Sequence, residues 1–382
     1  MKHQFQWTIA FLFIVSGGLI WYSASTSAVH AQGPEKTFAS PNQERTAEQK
    51  YRNIQVFKGL PESQLLAAMQ FMAGSLGVTC QHCHTNQFAQ DDKLAKQTAR
   101  RMIAMMRAIN QENFSDKLVV NCYTCHRGQR KPAVVLPVNH PATAETRSTK
   151  SVETMPTVDQ VLDRYLSALG GHAKLDKLRT KWMKGSVVDS TGTNPITPQP
   201  LEIYRKAPNR MLMVRHAGNN TFMQAFDGKV AWRQFNDRVA EMTGVDAAFA
   251  GRDARFNKEI NLREQFIKMS LIGRDKVGDR EVYLIEGVPS DGHIGSLSYG
   301  TERLFFDIQT GLLRRRLIEI ETVLGHVPIV TEFDDYLEVD GVKVPFTIGI
   351  ATPGSTTTLK FTEIKLNDPI GDDRFDKPGP KR

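Results

Sequence analysis

Four cysteines occur in 382 residues, and all four fall into two copies of one pattern. Cys80-Gln81-His82-Cys83-His84 is followed by Cys122-Tyr123-Thr124-Cys125-His126, with 38 residues between Cys83 and Cys122. C-x-x-C-H is the attachment signature of c-type haem. Its two thiols bond the two vinyl groups of one porphyrin, and the next histidine is set beneath the iron as proximal ligand. Other uses of the pattern fit less well. Zinc sites built from paired C-x-x-C keep roughly 15–20 residues between the halves. Two structural disulfides would not require a histidine after each pair, and the βαβ setting of a thioredoxin-like site is missing. The spacing therefore assigns two covalently bound haem c groups. Cys80 and Cys83 hold one, Cys122 and Cys125 the other, with His84 and His126 as iron ligands and His82 as a spacer.

Each motif follows a helical run. Leu60-Pro61-Glu62 reads as a helix start, with proline and an acid in the first turn. Leu65, Met69, Met72 and Leu76 then recur on one stripe, and Gly77 ends it. A second helix is expected over 91–113, with Leu94, Thr98, Met102, Met105 and Ile109 on its apolar face. Five of the 13 methionines lie in these helices: Met69, Met72, Met102, Met105 and Met106. Two uses are open to them. Methionine is a flexible filler of cores, and its thioether opposite a histidine raises a haem's potential and closes the iron to small ligands.

Residues 65–84 (LLAAMQFMAGSLGVTCQHCH), 100–110 (RRMIAMMRAIN) and 120–128 (VNCYTCHRG) closely resemble the cytochrome c subunit of photosynthetic reaction centres, over about 80 of the 382 residues. The resemblance implies an axial methionine in the helix before each motif. That places Met69 on the first haem and Met102 on the second, and leaves Met72, Met105 and Met106 as core or fallback ligands. It also implies electron transfer with a membrane donor or acceptor complex and with a soluble electron carrier, in a photosynthetic or a respiratory chain. The family carries four haems where this chain has two motifs. Residues 114–121 lack the histidine that the family's corresponding loop lends to a partner haem.

Lys2 precedes an uncharged, almost wholly apolar run over 7–21, and Val29-His30-Ala31 fits the small-residue rule of a signal-peptidase site. Residues 1–31 are read as a cleaved signal peptide of an exported, periplasmic protein. The competing reading is an uncleaved membrane anchor over 9–22, short for a bilayer span of about 20 residues. Residues 32–50 read as a flexible arm, 51–131 as an α-helical dihaem cytochrome c domain, and 132–156, with Pro132, Pro137, Pro141 and Pro156, as a semi-extended linker. Thr157 with Gln160 forms a capping box for a helix over 158–169 that stops at Gly170-Gly171. Beyond 179 the period becomes two. Eleven strand-like runs, divided by turns such as Asp227-Gly228 and Asp340-Gly341, predict a large curved antiparallel sheet in an α+β domain over 157–370. One helical interruption is expected over 253–269, and 371–382 reads as a polar tail. The rhythm of this part is similar to that of the periplasmic lipoprotein-carrier half-barrel, which adds lipid to the candidate ligands. The fold class is thus multidomain, helical first and α+β second.

Apolar residues make up 40% of the chain and charged residues 24%, which excludes wholesale disorder and a polytopic membrane protein. With 49 basic and 41 acidic residues the net charge is +8. Spread along the chain, that excess argues against nucleic acid and favours acidic partners or anionic lipid. Arg314-Arg315-Arg316, inside a strand, reads as a solvated outer face ahead of an anion or headgroup site. No nucleophile–base pair, P-loop or G-x-G-x-x-G is present. An electron carrier is favoured over two rivals. A dihaem oxidoreductase or peroxidase needs an open distal position, which methionine-rich helices argue against. The other rival is a lipid carrier with haems as sensors.

Overall fold

The computed structural model describes residues 44–132, 155–191, 194–195, 197–258, 260–294 and 297–379. The expected signal peptide or anchor, most of the arm and nearly all of the proline-rich linker lie outside the described residues. Among the described residues no helix is long and apolar enough to cross a membrane.

Four helices come first: α1 (Ala47–Lys50), α2 (Glu62–Leu76), α3 (Leu94–Phe114) and α4 (Cys122–His126). Helix α2 stops where Gly77 turns left-handed at φ 61° and its N–H returns to the carbonyls of Ala73 and Gly74, the usual glycine C-cap. Helix α5 (Val158–Leu169) opens on the Thr157–Gln160 capping box. It buries Val161, Leu162, Tyr165, Leu166 and Leu169, one continuous helical stripe. Three short helices follow: α6 (His172–Leu175), α7 (Gly244–Asp253) and α8 (Leu262–Gln265).

The rest is one antiparallel sheet. From edge to edge its main strands are Arg238–Glu241, Ala231–Phe235, Asn220–Phe226, Arg210–Ala217, Gln199–Lys206, Thr180–Thr191, Ser355–Leu366, Val342–Thr352, Gly325–Val339, Leu313–Thr322, Glu302–Asp307, Arg280–Pro289 and Phe266–Val277. Most neighbours in space are neighbours in sequence, as the tight turns require. The exception is central: the first strand pairs with the last, from Lys181 opposite Leu366 to Thr191 opposite Ser355. One core lies where α5 meets the sheet, joining Leu162, Tyr165 and Leu166 to Met183, Leu201, Leu304, Phe306 and Phe361. It leaves a mainly apolar space of about 120 Å³ beside Phe333, Ile348 and Leu359, below the 300–1,000 Å³ usual for a ligand pocket.

A second core ties the early helices to the sheet. Leu65, Ala68 and Phe71 of α2 and Ile103 and Met106 of α3 are buried together with Ile320, Leu324 and Val327 of one hairpin and Val245 of α7. The region carrying both motifs is therefore walled on one side by β-structure.

Three expectations need correction. The helical interruption over 253–269 is displaced: α7 ends at Asp253, and a strand begins at Phe266 after the single turn of α8. That strand is the sheet's edge, and Ile267 and Ile272 on it are exposed, so its pattern alternates poorly. The arginine triplet is not a solvated face. Arg314 pairs with Asp334 and Arg315 with Glu332 on the next strand, while Arg316 is nearly buried against Glu302, itself fully buried. Finally, the polar tail contains a fully buried Phe375, whose carbonyl accepts a hydrogen bond from Trp232 Nε1 at 2.8 Å.

Candidate haem-attachment site

Each motif occupies a single helical turn, which is what sets two thiols side by side. In the first, Cys80–His82 is a 3-10 turn, and the amides of Cys83 and His84 both return to the Cys80 carbonyl, at 3.2 and 3.0 Å. In the second, α4 is the motif itself, capped by Asn121. The Asn121 side chain accepts from the Thr124 amide and the Thr124 hydroxyl accepts from the Asn121 amide, each at 3.1 Å. All four thiols are free. Burial pushes the Cys83 and Cys122 thiols up from their ordinary range. Among the described residues, no three His, Cys, Asp or Glu side chains are grouped to hold a metal ion, so the cysteines stand as two separate pairs.

The two histidines are oriented alike. His84 Nδ1 lies 3.1 Å from the Phe88 carbonyl and His126 Nδ1 lies 3.0 Å from the Gln129 carbonyl. A carbonyl only accepts, so Nδ1 carries the proton in both rings, and in the neutral imidazole Nε2 is then the nitrogen with the lone pair. A backbone carbonyl on the far nitrogen is the usual support of a metal-ligating imidazole. Burial lowers the His84 pKa. The Phe88 hydrogen bond opposes that shift, while the positive charges of Lys96, Arg100 and Lys93 add to it.

Backbone contact brings the two turns together. The Gly128 amide donates to the Ser75 carbonyl at 2.9 Å, just before the end of α2. A β-carbon on Gly77 would stand 2.1 Å from the Gly128 carbonyl oxygen, so only glycine fits there. Gly77 is three residues from Cys80 and Gly128 two from His126. At up to 3.6 Å per residue the two motifs lie within roughly 25 Å of each other. Asn110, buried on α3, holds the approach to the second motif. Its Oδ1 accepts from the amides of Val119 and Val120 at 3.0 and 2.9 Å, and its Nδ2 donates to the Val120 carbonyl at 2.6 Å.

The apolar face expected on α3 is not the face packed on protein. Ile103, Met106 and Asn110 are buried instead, while Leu94, Met102 and Met105 are 69%, 40% and 49% exposed. The helix has two apolar stripes about one residue apart, and only one is buried against polypeptide. Met69 and Met72 are half-buried beside the α2 core. Of the eighteen exposed large hydrophobic side chains among the described residues, ten lie between Tyr51 and Tyr123. Water is a poor neighbour for large apolar side chains; a flat macrocycle would cover those beside it. The thiol pairs, the oriented imidazoles and these uncovered apolar side chains fit haem.

Charge is concentrated here as well. Residues 51–131 hold eleven basic and five acidic residues, six of the chain's eight net positive charges, so the excess is not spread as the composition suggested. Arg101, Arg107, Lys117, Arg127, Arg130 and Lys131 are exposed. Sequence reasoning missed Lys96 and Asn110. Both are polar residues buried on α3, and neither breaks the helical pattern that would have marked it.

Two C-x-x-C-H turns with free thiols and oriented imidazoles carry the attachment signature of c-type haem. Comparison with known proteins agrees. Residues 22–165 match the family model described as photosynthetic reaction centre cytochrome C subunit. The photosynthetic reaction center cytochrome c subunit of Roseobacter denitrificans is 33% identical over 127 residues, 30% of this chain and 34% of that one. That of Rubrivivax gelatinosus is 33% identical over 107 residues, 26% of this chain and 29% of its own. Cytochrome c-554 of Chloroflexus aurantiacus is 39% identical over 82 residues, 19% of this chain and 20% of its own. The chain thus spans about a third or less of the length of these relatives. Among solved structures, a DUF1329 family protein from Desulfovibrio piger aligns at TM-score 0.44 with 13% identity, over 58% of this chain and 98% of that one. A LolA superfamily protein from Nitrosomonas europaea aligns at 0.41 with 14% identity, over 58% and 99%.

Proposed function

We propose that this chain is an electron carrier holding two covalently bound haem c groups, one on Cys80 and Cys83 with His84 beneath the iron, the other on Cys122 and Cys125 with His126. The observation that carries the reading is the matched pair of imidazoles, each with Nδ1 tied to a carbonyl three or four residues on. When bound, haem supplies a one-electron couple. The chain's part is to hold the ring, fix the proximal nitrogen and provide a second axial ligand. Met69 and Met102 are the proposed second ligands. Met102 suits the role because its side chain is not used by the protein core. The contact between Ser75–Gly77 and Gly128 favours two haems close enough to exchange electrons and to titrate with measurable interaction.

The relatives named above make a membrane electron-transfer complex the proposed partner, approached from the exported side of a membrane. The exposed cations around the motifs add a preference for an acidic redox protein. The test is direct. After co-expression with a cytochrome c maturation system, intact mass should exceed the polypeptide by two haem masses, and the pyridine haemochrome should give the c-type band. One haem or none would sink the assignment.

A further inference from the structure

Lys96 is a charged residue buried on α3, with only 11% of its side chain exposed. Its ammonium donates to the Phe88 carbonyl at 2.9 Å and to the Gln90 carbonyl at 2.7 Å, and pairs with Asp91 Oδ1 at 3.2 Å. All three of its donors are thus used. The Phe88 carbonyl is the group that also receives His84 Nδ1. One oxygen therefore accepts from the proximal imidazole and from a buried cation together. Arg100 makes a two-pronged bridge to Asp91, at 2.8 and 2.9 Å, so Asp91 answers two cations with one charge and the trio keeps one positive charge in excess. The second motif differs: among the described residues, the Gln129 carbonyl that receives His126 Nδ1 takes no second hydrogen bond from a cationic side chain.

We infer that Lys96 is a positioning residue that raises the reduction potential of the haem on the first motif by sharing the Phe88 carbonyl with His84. The inference rests on the dihaem reading. Two effects act in the same direction. A carbonyl already polarised by an ammonium is a weaker acceptor for Nδ1–H, so the imidazole gives less electron density to the iron and the oxidised state loses stabilisation. The excess positive charge also opposes the oxidised state, which carries one positive charge more than the reduced one. Burial leaves that charge less screened by salt than the exposed arginines near the second motif.

The experiment uses holo-protein carrying a single haem. Cys122→Ser with Cys125→Ser leaves only the first attachment site, and Cys80→Ser with Cys83→Ser leaves only the second. Spectroelectrochemical titration of the first should show a lower midpoint with Lys96→Met, a midpoint near the parent's with Lys96→Arg, and a higher one with Asp91→Asn, which strips the counter-charge. The second-site protein should keep its midpoint under the same changes. Both Lys96→Met and Asp91→Asn cut bonds in the loop, so a purely structural role would move both midpoints the same way. That result, or no shift with Lys96→Met, or equal shifts at both sites, would overturn the inference. The haemochrome is read before any titration. Absence of haem from the first-site parent is the separate failure of the dihaem reading, and the inference falls with it.

Discussion

Met102 and Met106 stand one turn apart on α3, yet only Met106 is buried. Removing the two therefore does different things. Met106→Ala opens a cavity in a core shared with Phe71 and Leu324 and should cost about 2–5 kcal/mol of stability, with the haem spectrum kept. Met102→Ala removes a half-exposed side chain and should lower the second haem's potential and abolish the far-red band of a sulfur-ligated ferric haem. Met105→Ala should do neither. Thermal unfolding and oxidised-state absorption on the three variants decide the case. If Met105 proves the spectroscopically essential residue, the ligand lies about one turn from its proposed place.

At the scale of elements, turns carry much of the specification. Gly77 ends α2 and lets the Gly128 carbonyl in, a contact that no other residue would permit. In the sheet, Asp307 builds the turn between two strands from inside. It is buried, its Oδ1 accepts from the amides of Gln309 and Thr310 at 2.9 and 2.8 Å, and its Oδ2 meets Arg280 at 3.3 Å. Burial alone would raise its pKa; the hydrogen bonds from Thr310 and Gln309, with Arg280 beside them, outweigh it and hold the carboxyl below its ordinary range. The folded value is thus lower than the unfolded value of about 3.9. Its stabilisation is present above pH of about 4 and is lost as the pH falls through the folded value. Asp307→Asn should be less stable at neutral pH by about 1 kcal/mol, and the gap should close on acidification below pH of about 4. Unfolding midpoints at several pH values would show this, and a gap that stays constant would rule it out.

For the whole molecule, the question is whether the helices carrying the motifs form a domain alone. Their core side chains Leu65, Phe71, Ile103 and Met106 share one cluster with Ile320, Leu324 and Val327 of the sheet. Each large apolar side chain bared to water costs about 1.5–3 kcal/mol, which is a large share of a small domain's stability. Residues 44–132 expressed alone should therefore melt at a lower temperature than the same helices in the full chain. Circular dichroism of the two would measure it, and equal melting temperatures would restore the helical segment as a self-sufficient unit. The helix ends and most strands were legible beforehand, because caps, glycine turns and period-two runs are local signals. Leu94, Met102 and Met105 show where that stops. A stripe of apolar residues says that a helix face avoids water, not whether protein or a cofactor covers it.

The amino-acid sequence by itself determined the two C-x-x-C-H motifs: the thiol spacing, the histidine after each pair and the turn residues act over a few bonds and need no distant partner. Long-range arrangement was decided by tertiary structure alone. Pairing of the first strand with the last, placement of the Gly325–Val339 strand against α2, burial of Arg316 on Glu302 and the meeting of Lys96 with His84 at one carbonyl all join residues whose separate patterns are ordinary. Such contacts form only when apolar faces choose partners across the chain. A residue's charge is visible in the sequence; whether that charge is buried beside the histidine of a C-x-x-C-H motif depends on which faces close over it.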